Sequence, residues 1–245
     1  MLHLKNSDTR NYSNSFIKNL FESIVDFAYP KICLISDNRI NLGNSNDFVN
    51  DDVFAKFELI KEEEFSFIRT KINADFFYSR YAFRHDNEIQ TLIHYLKYKK
   101  FSKIGNFLGR VIGEQLAVDY SDKLKEYKYL LPVPLFRGKL RERGYNQSLH
   151  ICNGIVEKLP LEIINETVIR VKNTKSQTGL SYKERIANVQ DAFELKRNKT
   201  NKIIDGGILV VDDVLTTGST VKEVIRLLKQ TTSVNVGAVT VGLAK

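Results

Sequence analysis

Two carboxylates and a series of hydroxyl side chains follow an apolar segment near the end of the sequence. Residues 208–211 read Ile-Leu-Val-Val, Asp212 and Asp213 come next, and an apolar helical pattern begins after residue 220. The intervening turn contains Thr216, Thr217, Gly218, Ser219 and Thr220. Backbone N–H groups in such a turn and at the start of a helix bind anions, and a glycine lets the backbone approach closely. We predict that this turn binds a phosphate group.

The two carboxylates require a different ligand group. Like charges repel, so Asp212 and Asp213 do not suit the phosphate, but they can accept hydrogen bonds from vicinal hydroxyls of a ribose. The pattern therefore indicates a sugar-phosphate site at the end of a strand. A simpler interpretation stays open, because Thr220 and Glu223 have the spacing of a helix capping box and the two acids would then be solvated turn residues.

A cluster of cations follows a proline-rich strand end earlier in the chain. Residues 131–135 read Leu-Pro-Val-Pro-Leu, and four cations follow within seven residues. These cations are Arg137, Lys139, Arg141 and Arg143. Arginine can chelate phosphate oxygens with two N–H groups, so we predict that Arg137, Arg141 and Arg143 bind pyrophosphate or another polyanion. A solvated basic turn is the alternative.

A long polar segment supplies further cations. It covers residues 170–188 and includes Arg170, Lys172, Lys175 and Arg185. Such a segment is typical of a mobile loop that closes over a polyphosphate, and a plain surface loop is the alternative. We take Arg137, Lys172 and Lys175 as candidate catalytic groups and add Arg185 to the residues that bind the polyanion.

Strand and helix patterns alternate from residue 76 to the end of the chain. Strands are predicted at residues 76–83, 129–134, 168–171, 207–212 and 234–243, and helices at 87–98, 104–116, 146–159 and 218–230. This alternation predicts an α/β fold with a mostly parallel sheet flanked by helices. Such sheets bind ligands at the carboxyl ends of their strands, which is where residues 212–220 fall.

The first part of the chain differs in pattern and in charge. A short helix is predicted at residues 16–29, a loop at 38–50, and residues 51–75 are charged and weakly patterned. We expect two regions, an irregular segment at residues 1–75 and an α/β domain at 76–245. Residues 1–64 hold 7 Lys and Arg against 11 Asp and Glu, whereas 65–245 hold 30 against 18. The basic part is expected to attract phosphorylated ligands or nucleic acid, and a charge that only keeps the protein soluble is the alternative.

Composition is that of an ordinary soluble globular protein of 245 residues with a net charge of +8. No apolar run approaches the roughly 20 residues that span a bilayer, and no signal-peptide pattern is present, so a cytoplasmic location without membrane insertion is expected. Cys33 and Cys152 lie far apart in the sequence, which disfavours a disulfide framework and a metal site between them.

Four segments together resemble the ComF/ComFC (GntX-like) family of type I phosphoribosyltransferase-like proteins. They are residues 132–135, the Arg-Gly-Tyr-Asn-Gln sequence of 143–147, residues 174–180 with the later Arg185 and Asn188, and residues 212–220. The helix pattern at 92–98 also matches, so the resemblance covers residues 76–245. It implies a type I phosphoribosyltransferase fold, binding of 5-phosphoribosyl-1-pyrophosphate (PRPP) with Mg²⁺ at residues 212–220, and a function in DNA uptake during natural competence.

Two departures from that family are visible. Purine-salvage phosphoribosyltransferases have a similar motif, but an acid occupies the position that Thr216 holds here, so the resemblance disfavours purine salvage. ComF proteins usually begin with a four-cysteine zinc module, whereas here Cys33 is followed by Ser36 at the second ligand position and no second Cys-x-x-Cys pair appears before residue 152. Structural zinc needs four Cys or His ligands, so no zinc is expected and Cys33 is expected to be a buried apolar residue.

Three functional hypotheses stay open. The first is a phosphoribosyltransferase of unknown acceptor, in which pyrophosphate leaves from the anomeric carbon of Mg-PRPP. The second is a non-catalytic competence module that binds single-stranded DNA through lysines and through the aromatic side chains of Tyr98, Tyr145 and Tyr182. The third is a PRPP-sensing regulator, although no helix-turn-helix pattern is evident.

Overall fold

The computed structural model describes residues 30–172, 191–196 and 205–245. Its contacts divide the chain into two compact units, Met1–Lys56 and Phe57–Lys245. The sequence predicted a boundary after residue 75, but residues 57–75 belong with the second unit because Phe65, Ile68 and Ile72 are buried there. The helix predicted at 16–29 lies outside the described residues.

In the first unit, two side chains organise the turns of residues 30–50. Cys33 is fully buried, and its Sγ accepts a hydrogen bond from the backbone N–H of Ser36 at 3.5 Å. Asn46 has a similar part, since its Oδ1 accepts from the N–H groups of Phe48 at 2.9 Å and Val49 at 2.8 Å. Within the described ranges, no three His, Cys, Asp or Glu side chains come together to hold a metal ion. Asn46 therefore orders the turn at residues 46–49 through these two hydrogen bonds.

The second unit is built on a parallel sheet of five strands in the order β1-β7-β6-β2-β3. The strands of the unit are β1 (Phe77–Phe83), β2 (Tyr127–Pro132), β3 (Glu162–Ile163), β4 (Val168–Arg170), β5 (Phe193–Leu195), β6 (Gly207–Leu215) and β7 (Val236–Ala244). Strands β6 and β7 are buried along nearly their whole length, as expected for central strands of a parallel sheet. The predicted strand at 207–212 is longer than expected and includes Asp213.

Strand β4 is the exception to the predicted sheet. It pairs antiparallel with β5 in a separate two-stranded sheet, where Ile169 is the partner of Glu194. The three residues of β4 are too short a pattern to indicate which sheet the strand joins.

Eight helices are described, with bounds α1 (Asp51–Phe54), α2 (Glu63–Ile72), α3 (Glu88–Tyr98), α4 (Lys103–Asp119), α5 (Ser121–Leu124), α6 (Arg137–Arg143), α7 (Gln147–Val156) and α8 (Ser219–Thr231). Helices α1 and α2 lie in the stretch that the sequence left weakly patterned. Helix α6 replaces the predicted basic turn. None of the helices described is long and apolar enough to span a membrane.

Glycines bring α4 and α7 into close contact. A Cβ on Gly109 would overlap the carbonyl oxygen of Ile151, and one on Gly154 would overlap that of Asn106. Only hydrogen atoms fit at these two positions, so the helix backbones pack directly against each other. This packing fixes α7, whose first turn reaches the carboxyl end of β6.

Candidate functional site

Asp213 lies near the carboxyl end of β6 and forms an ion pair with a lysine of α3. Its Oδ1 is 2.9 Å from Nζ of Lys97, and the Asp213 side chain is 5% exposed. Its Oδ2 is buried and has no hydrogen-bond partner among the described residues. A buried carboxylate oxygen without a partner is costly, so this atom is oriented for a ligand that donates a hydrogen bond.

Asp212 is held by the first turn of α7. Its Oδ1 accepts from the hydroxyl of Ser148 at 3.1 Å and from the backbone N–H of Asp213 at 2.9 Å. Burial raises the pKa of Asp212 to about 7; the neighbouring Asp213 charge adds to this, and Lys97 opposes it. Burial and the neighbouring carboxylate therefore both favour the protonated form of Asp212.

The turn after β6 has the geometry of an anion site. Gly218 has φ 79°, in the left-handed region, and its carbonyl accepts from the N–H of Lys222 as α8 begins. The hydroxyls of Thr217 and Ser219 lie 3.0 Å apart, and Ser219 is 8% exposed. The positive end of the α8 dipole and these hydroxyls face the same cleft. The structure thus brings the predicted turn and the acid pair together.

This cleft, which we call the β6 cleft, has a volume of about 360 Å³. It is lined by Lys97, Tyr98, Lys139, Arg143, Gln147, Arg170, residues 212–221 and the apolar side chains of Phe83, Val133 and Leu135. Burial lowers the pKa of Arg170, and the charge of Asp212 partly offsets this effect. Among the residues that the structure describes, the cleft therefore has four cations around two carboxylates.

The Arg-Gly-Tyr-Asn-Gln sequence of 143–147 joins α6 to α7. Gly144 ends α6 with φ 86°, and the hydroxyl of Tyr145 donates to the carbonyl of Leu96 on α3. Asn146 caps α7 by accepting from the N–H of Ser148 at 3.0 Å, and its amide donates to Val133 at 3.1 Å. These contacts fix both helices beside the carboxyl end of the sheet.

The predicted cations do not all reach the β6 cleft. Arg143 lines it and donates a hydrogen bond to Gln147. Arg137 lines a different cavity of about 740 Å³, on the other side of α6, together with Leu140 and His150. Arg141 lines neither cavity, so the structure does not bring Arg137 and Arg141 to the β6 cleft, and their binding of a polyanion stays a prediction. Because α6 is a helix, residues two positions apart face opposite directions.

Two further predicted sets are only partly described. Lys172 is exposed and does not line the β6 cleft, so the structure does not support it as a catalytic group there. Lys175, Arg185 and Tyr182 lie outside the described residues.

Lys97 and Ser148 contact the acid pair, although the sequence pattern did not indicate either as a site residue. Lys97 is the penultimate residue of α3, more than 100 positions from Asp213, and Ser148 lies 64 positions from Asp212. A sequence signal did exist for Lys97, because it is a single cation beside the buried Leu96 in the α3 pattern. Its pairing with Asp213 depends on how α3 packs on the sheet.

Comparison with known proteins places the chain in context. The family described as phosphoribosyl transferase domain matches residues 145–243. Competence protein F of Haemophilus influenzae is 34% identical over 145 residues, which are 58% of this chain and 62% of that protein. DNA utilization protein YhgH of Shigella flexneri is 33% identical over 141 residues, 57% of this chain and 60% of that protein.

A more distant relative is competence protein ComFC of Streptococcus pneumoniae, which is 26% identical over 133 residues, 54% of this chain and 56% of that protein. The chain thus spans about three fifths of the length of these relatives. The matched domain contains the acid pair, the Gly218 turn, α7 and Ser148. Together with the parallel sheet and its flanking helices, these matches show that the chain has a type I phosphoribosyltransferase fold and is similar to proteins of the ComF family.

Proposed function

We propose that the β6 cleft binds the ribose 5-phosphate part of PRPP or of a ligand with the same group. The observation that carries this proposal is Asp213, a buried carboxylate whose Oδ2 has no hydrogen-bond partner among the described residues and which lies in the same cleft as a left-handed glycine at a helix start. A buried acid, a half-buried acid beside it and an anion-binding turn within one cleft suit a ligand that combines hydroxyl donors with a phosphate. A solvated turn with a capping box would not need a buried, unpartnered carboxylate oxygen.

The charges in the cleft indicate where each part of the ligand binds. The 5-phosphate binds the turn of residues 216–220 through N–H and hydroxyl donors, each worth about 1.5–3 kcal/mol when the partner is charged. The ribose hydroxyls donate to Asp212 and Asp213. A group attached at the anomeric carbon then faces Lys139, Arg143 and Arg170, which replace the predicted Arg137 and Arg141 as the cations for a pyrophosphate.

Mg²⁺ accompanies PRPP in this proposal. The donor set of the cleft is two carboxylates, and one of them is bound to Lys97 at 2.9 Å. Mg²⁺ prefers six oxygen ligands and keeps several waters, so the protein residues fit an ion that is bound mainly by the ligand's own phosphate oxygens. Such an ion would neutralise part of the phosphate charge, and Lys139, Arg143 and Arg170 would provide the remaining positive field.

The reaction supported best is transfer of the phosphoribosyl group to an acceptor. The bond between the anomeric carbon and the pyrophosphate oxygen breaks, the electron pair leaves with pyrophosphate, and an acceptor atom forms the new bond. The cations of the cleft stabilise the departing charge. Thr216 offers no carboxylate as general base, which disfavours a purine acceptor.

We further propose that this chain acts in the uptake or use of DNA, in the cytoplasm. The names of its relatives, competence protein F and DNA utilization protein YhgH, support such a role. The net charge of +8 favours association with polyanions.

Isothermal titration calorimetry with Mg-PRPP and with ribose 5-phosphate tests the ribose site. We expect binding by the unmodified chain and at least about tenfold weaker binding by Asp213→Asn, since a charged hydrogen bond of about 1.4 kcal/mol or more is lost. Asp205→Asn is the matched control, because Asp205 precedes β6 at the opposite end of the strand. Absence of heat with both ligands, or equal affinities of the two variants, would contradict the proposal.

A second measurement tests transfer. Incubation of the chain with Mg-PRPP and a panel of nucleobases should release pyrophosphate only with a suitable acceptor. Binding without release by any acceptor would support a module that binds PRPP without chemistry.

A second candidate function, binding of single-stranded DNA, is favoured by the surface at the end of α3. Tyr98 is 63% exposed, the guanidinium of Arg143 is 5.6 Å from its ring centroid, and Lys100 lies beside it. Exposed aromatic rings among cations are typical of single-strand binding. Affinity for a thymidine oligonucleotide should fall as salt rises from 50 to 200 mM, by about a thousandfold if many phosphates are contacted. An affinity that does not fall over this range would exclude this binding mode.

A further inference from the structure

A smaller cavity lies between the end of α3 and α6, and we call it the α3–α6 cavity. Its volume is about 280 Å³, and the residues that line it are Lys97, Tyr98, Lys100, Lys139, Glu142 and Arg143. Among the described residues, four cations therefore face one carboxylate there. Four of the six lining residues also line the β6 cleft, namely Lys97, Tyr98, Lys139 and Arg143. The cavity and the cleft are thus neighbouring parts of one basic surface.

Two of the shared cations can serve a ligand in either place. Lys97 is committed to the acid pair, because its Nζ lies 2.9 Å from Oδ1 of Asp213. Lys139 and Arg143 remain, and their positive charges are crowded. Burial lowers the pKa of Lys139, and the charges of Arg170 and Arg143 lower it further. An anion beside Lys139 and Arg143 relieves this repulsion, whichever of the two cavities it enters.

The proposed ligand of the β6 cleft and a nucleic-acid strand place negative charge on the same side chains. The pyrophosphate of PRPP faces Lys139 and Arg143 in the proposal above. A single strand that stacks a base on the exposed ring of Tyr98 brings its phosphodiester to Arg143, because that guanidinium lies 5.6 Å from the ring centroid. Two anionic groups at one guanidinium repel each other, since water and salt screen charges only beyond about 8–10 Å.

We propose that PRPP and a single-stranded nucleic acid exclude each other at Lys139 and Arg143, so that PRPP displaces the strand. This inference rests on the proposed function of the β6 cleft and adds a form of regulation to it. Linkage makes the exclusion reciprocal, because a bound strand lowers the affinity for PRPP by the same factor. The amount of strand that the protein holds then depends on the concentration of PRPP.

The pyrophosphate of PRPP, and not its 5-phosphate, accounts for the exclusion. The 5-phosphate binds the turn of residues 216–220, which lines the β6 cleft but not the α3–α6 cavity. The pyrophosphate lies beside the two shared cations. Ribose 5-phosphate has only the first of these anionic groups, so it should occupy the cleft and leave most of the strand bound.

Fluorescence anisotropy measures the exclusion. The probe is fluorescein-labelled decathymidylate without terminal phosphates, titrated with the full chain at several concentrations of Mg-PRPP and at constant ionic strength and free Mg²⁺. Mutually exclusive binding raises the apparent Kd of the strand in proportion to PRPP, by about tenfold when PRPP is at ten times its own Kd. Saturating ribose 5-phosphate should give only a small rise that levels off.

Two outcomes with the unmodified chain overturn the inference. The first is a strand Kd that does not rise with Mg-PRPP, or that levels off at saturation, because both ligands then bind together. The second is an equal rise with ribose 5-phosphate, because the pyrophosphate then has no special part. These comparisons need no variant, so they stay decisive even where a substitution unfolds the chain.

Variants separate the shared cations from residues of one cavity. Arg143→Met should weaken binding of both ligands, and a loss confined to one ligand overturns the inference. Lys100→Met should weaken the strand more than PRPP, because Lys100 lines the α3–α6 cavity and not the cleft. Thr217→Val should weaken PRPP more than the strand. Lys125→Met is the control, since it removes the same charge from an exposed side chain just before β2, at the opposite end of the sheet.

Calorimetry with Mg-PRPP on the same samples separates this inference from the proposed function. Heat of binding without displacement of the strand overturns the inference and leaves the ribose site intact. Absence of heat overturns the proposed function and the inference together. Heat from PRPP combined with no strand binding by the unmodified chain also overturns the inference alone.

Discussion

Replacing Gly218 by alanine should destabilise the protein and weaken binding of a phosphate group at the turn after β6. Gly218 has φ 79°, and a residue with a Cβ loses about 1–2 kcal/mol in this left-handed region. The added Cβ would lie 2.9 Å from Cγ2 of Ile72 on α2, closer than carbon atoms normally approach. Overpacking of this kind costs about 1–3 kcal/mol. We therefore expect a loss of about 2–5 kcal/mol in the free energy of unfolding.

Gly144→Ala is the matched control. Gly144 has φ 86°, and a Cβ there would meet no atom within 4 Å, so only the left-handed backbone is penalised, by about 1–2 kcal/mol. Urea denaturation followed by circular dichroism gives both free energies, and calorimetry with ribose 5-phosphate gives the loss of binding. A double variant with Ile72→Ala should recover part of the clash. If Gly218→Ala is no less stable than Gly144→Ala, the close packing of Ile72 on α2 against Gly218 is refuted.

Three further outcomes are expected. Asp212→Asn should stabilise the fold above pH 7 and change its stability little near pH 4. Folding raises the pKa of Asp212 from 3.8 to about 7, so the ionised carboxylate destabilises the folded state, and this effect grows between these pH values and is complete above them. Denaturation midpoints of the variant and the unmodified chain that do not diverge between pH 4 and 8 would refute the prediction. Asn46→Ala should leave two backbone N–H groups without an acceptor and lower the stability of the first unit by about 1–3 kcal/mol. Amide hydrogen exchange of residues 30–56 measures this effect, and exchange that stays as slow as in the unmodified chain would contradict the role of Asn46. Dialysis against EDTA should not change the thermal midpoint, and elemental analysis should find well below one equivalent of zinc; a stoichiometric zinc content that stabilises the protein would show that Cys33 belongs to a metal site.

The local motifs could be predicted because each depends on neighbouring residues. The apolar run at 208–211, the glycine and the hydroxyls of 216–220 indicate a strand, a turn and a helix start without any long-range information. The alternation of strands and helices likewise predicted the parallel sheet. The resemblance to the ComF family was confirmed by the relatives and by the matched domain.

The sequence did not indicate how the cations of the basic cluster are oriented, because this depends on the backbone geometry of residues 137–143. As a turn, residues 137–143 would present all four cations together. As helix α6, they present Lys139 and Arg143 to the β6 cleft and Arg137 to the opposite side, because residues four apart share a face and residues two apart do not.

The sequence by itself determined which groups this protein offers to a sugar phosphate, since the acids, the turn and the helix start are contiguous. Tertiary structure alone decided how these groups are charged and what else they contact. Lys97 reaches Asp213 because α3 packs on the sheet, and Ser148 reaches Asp212 because glycines let α7 lie directly against α4. Both depend on contacts between residues far apart in the chain, which no local pattern contains.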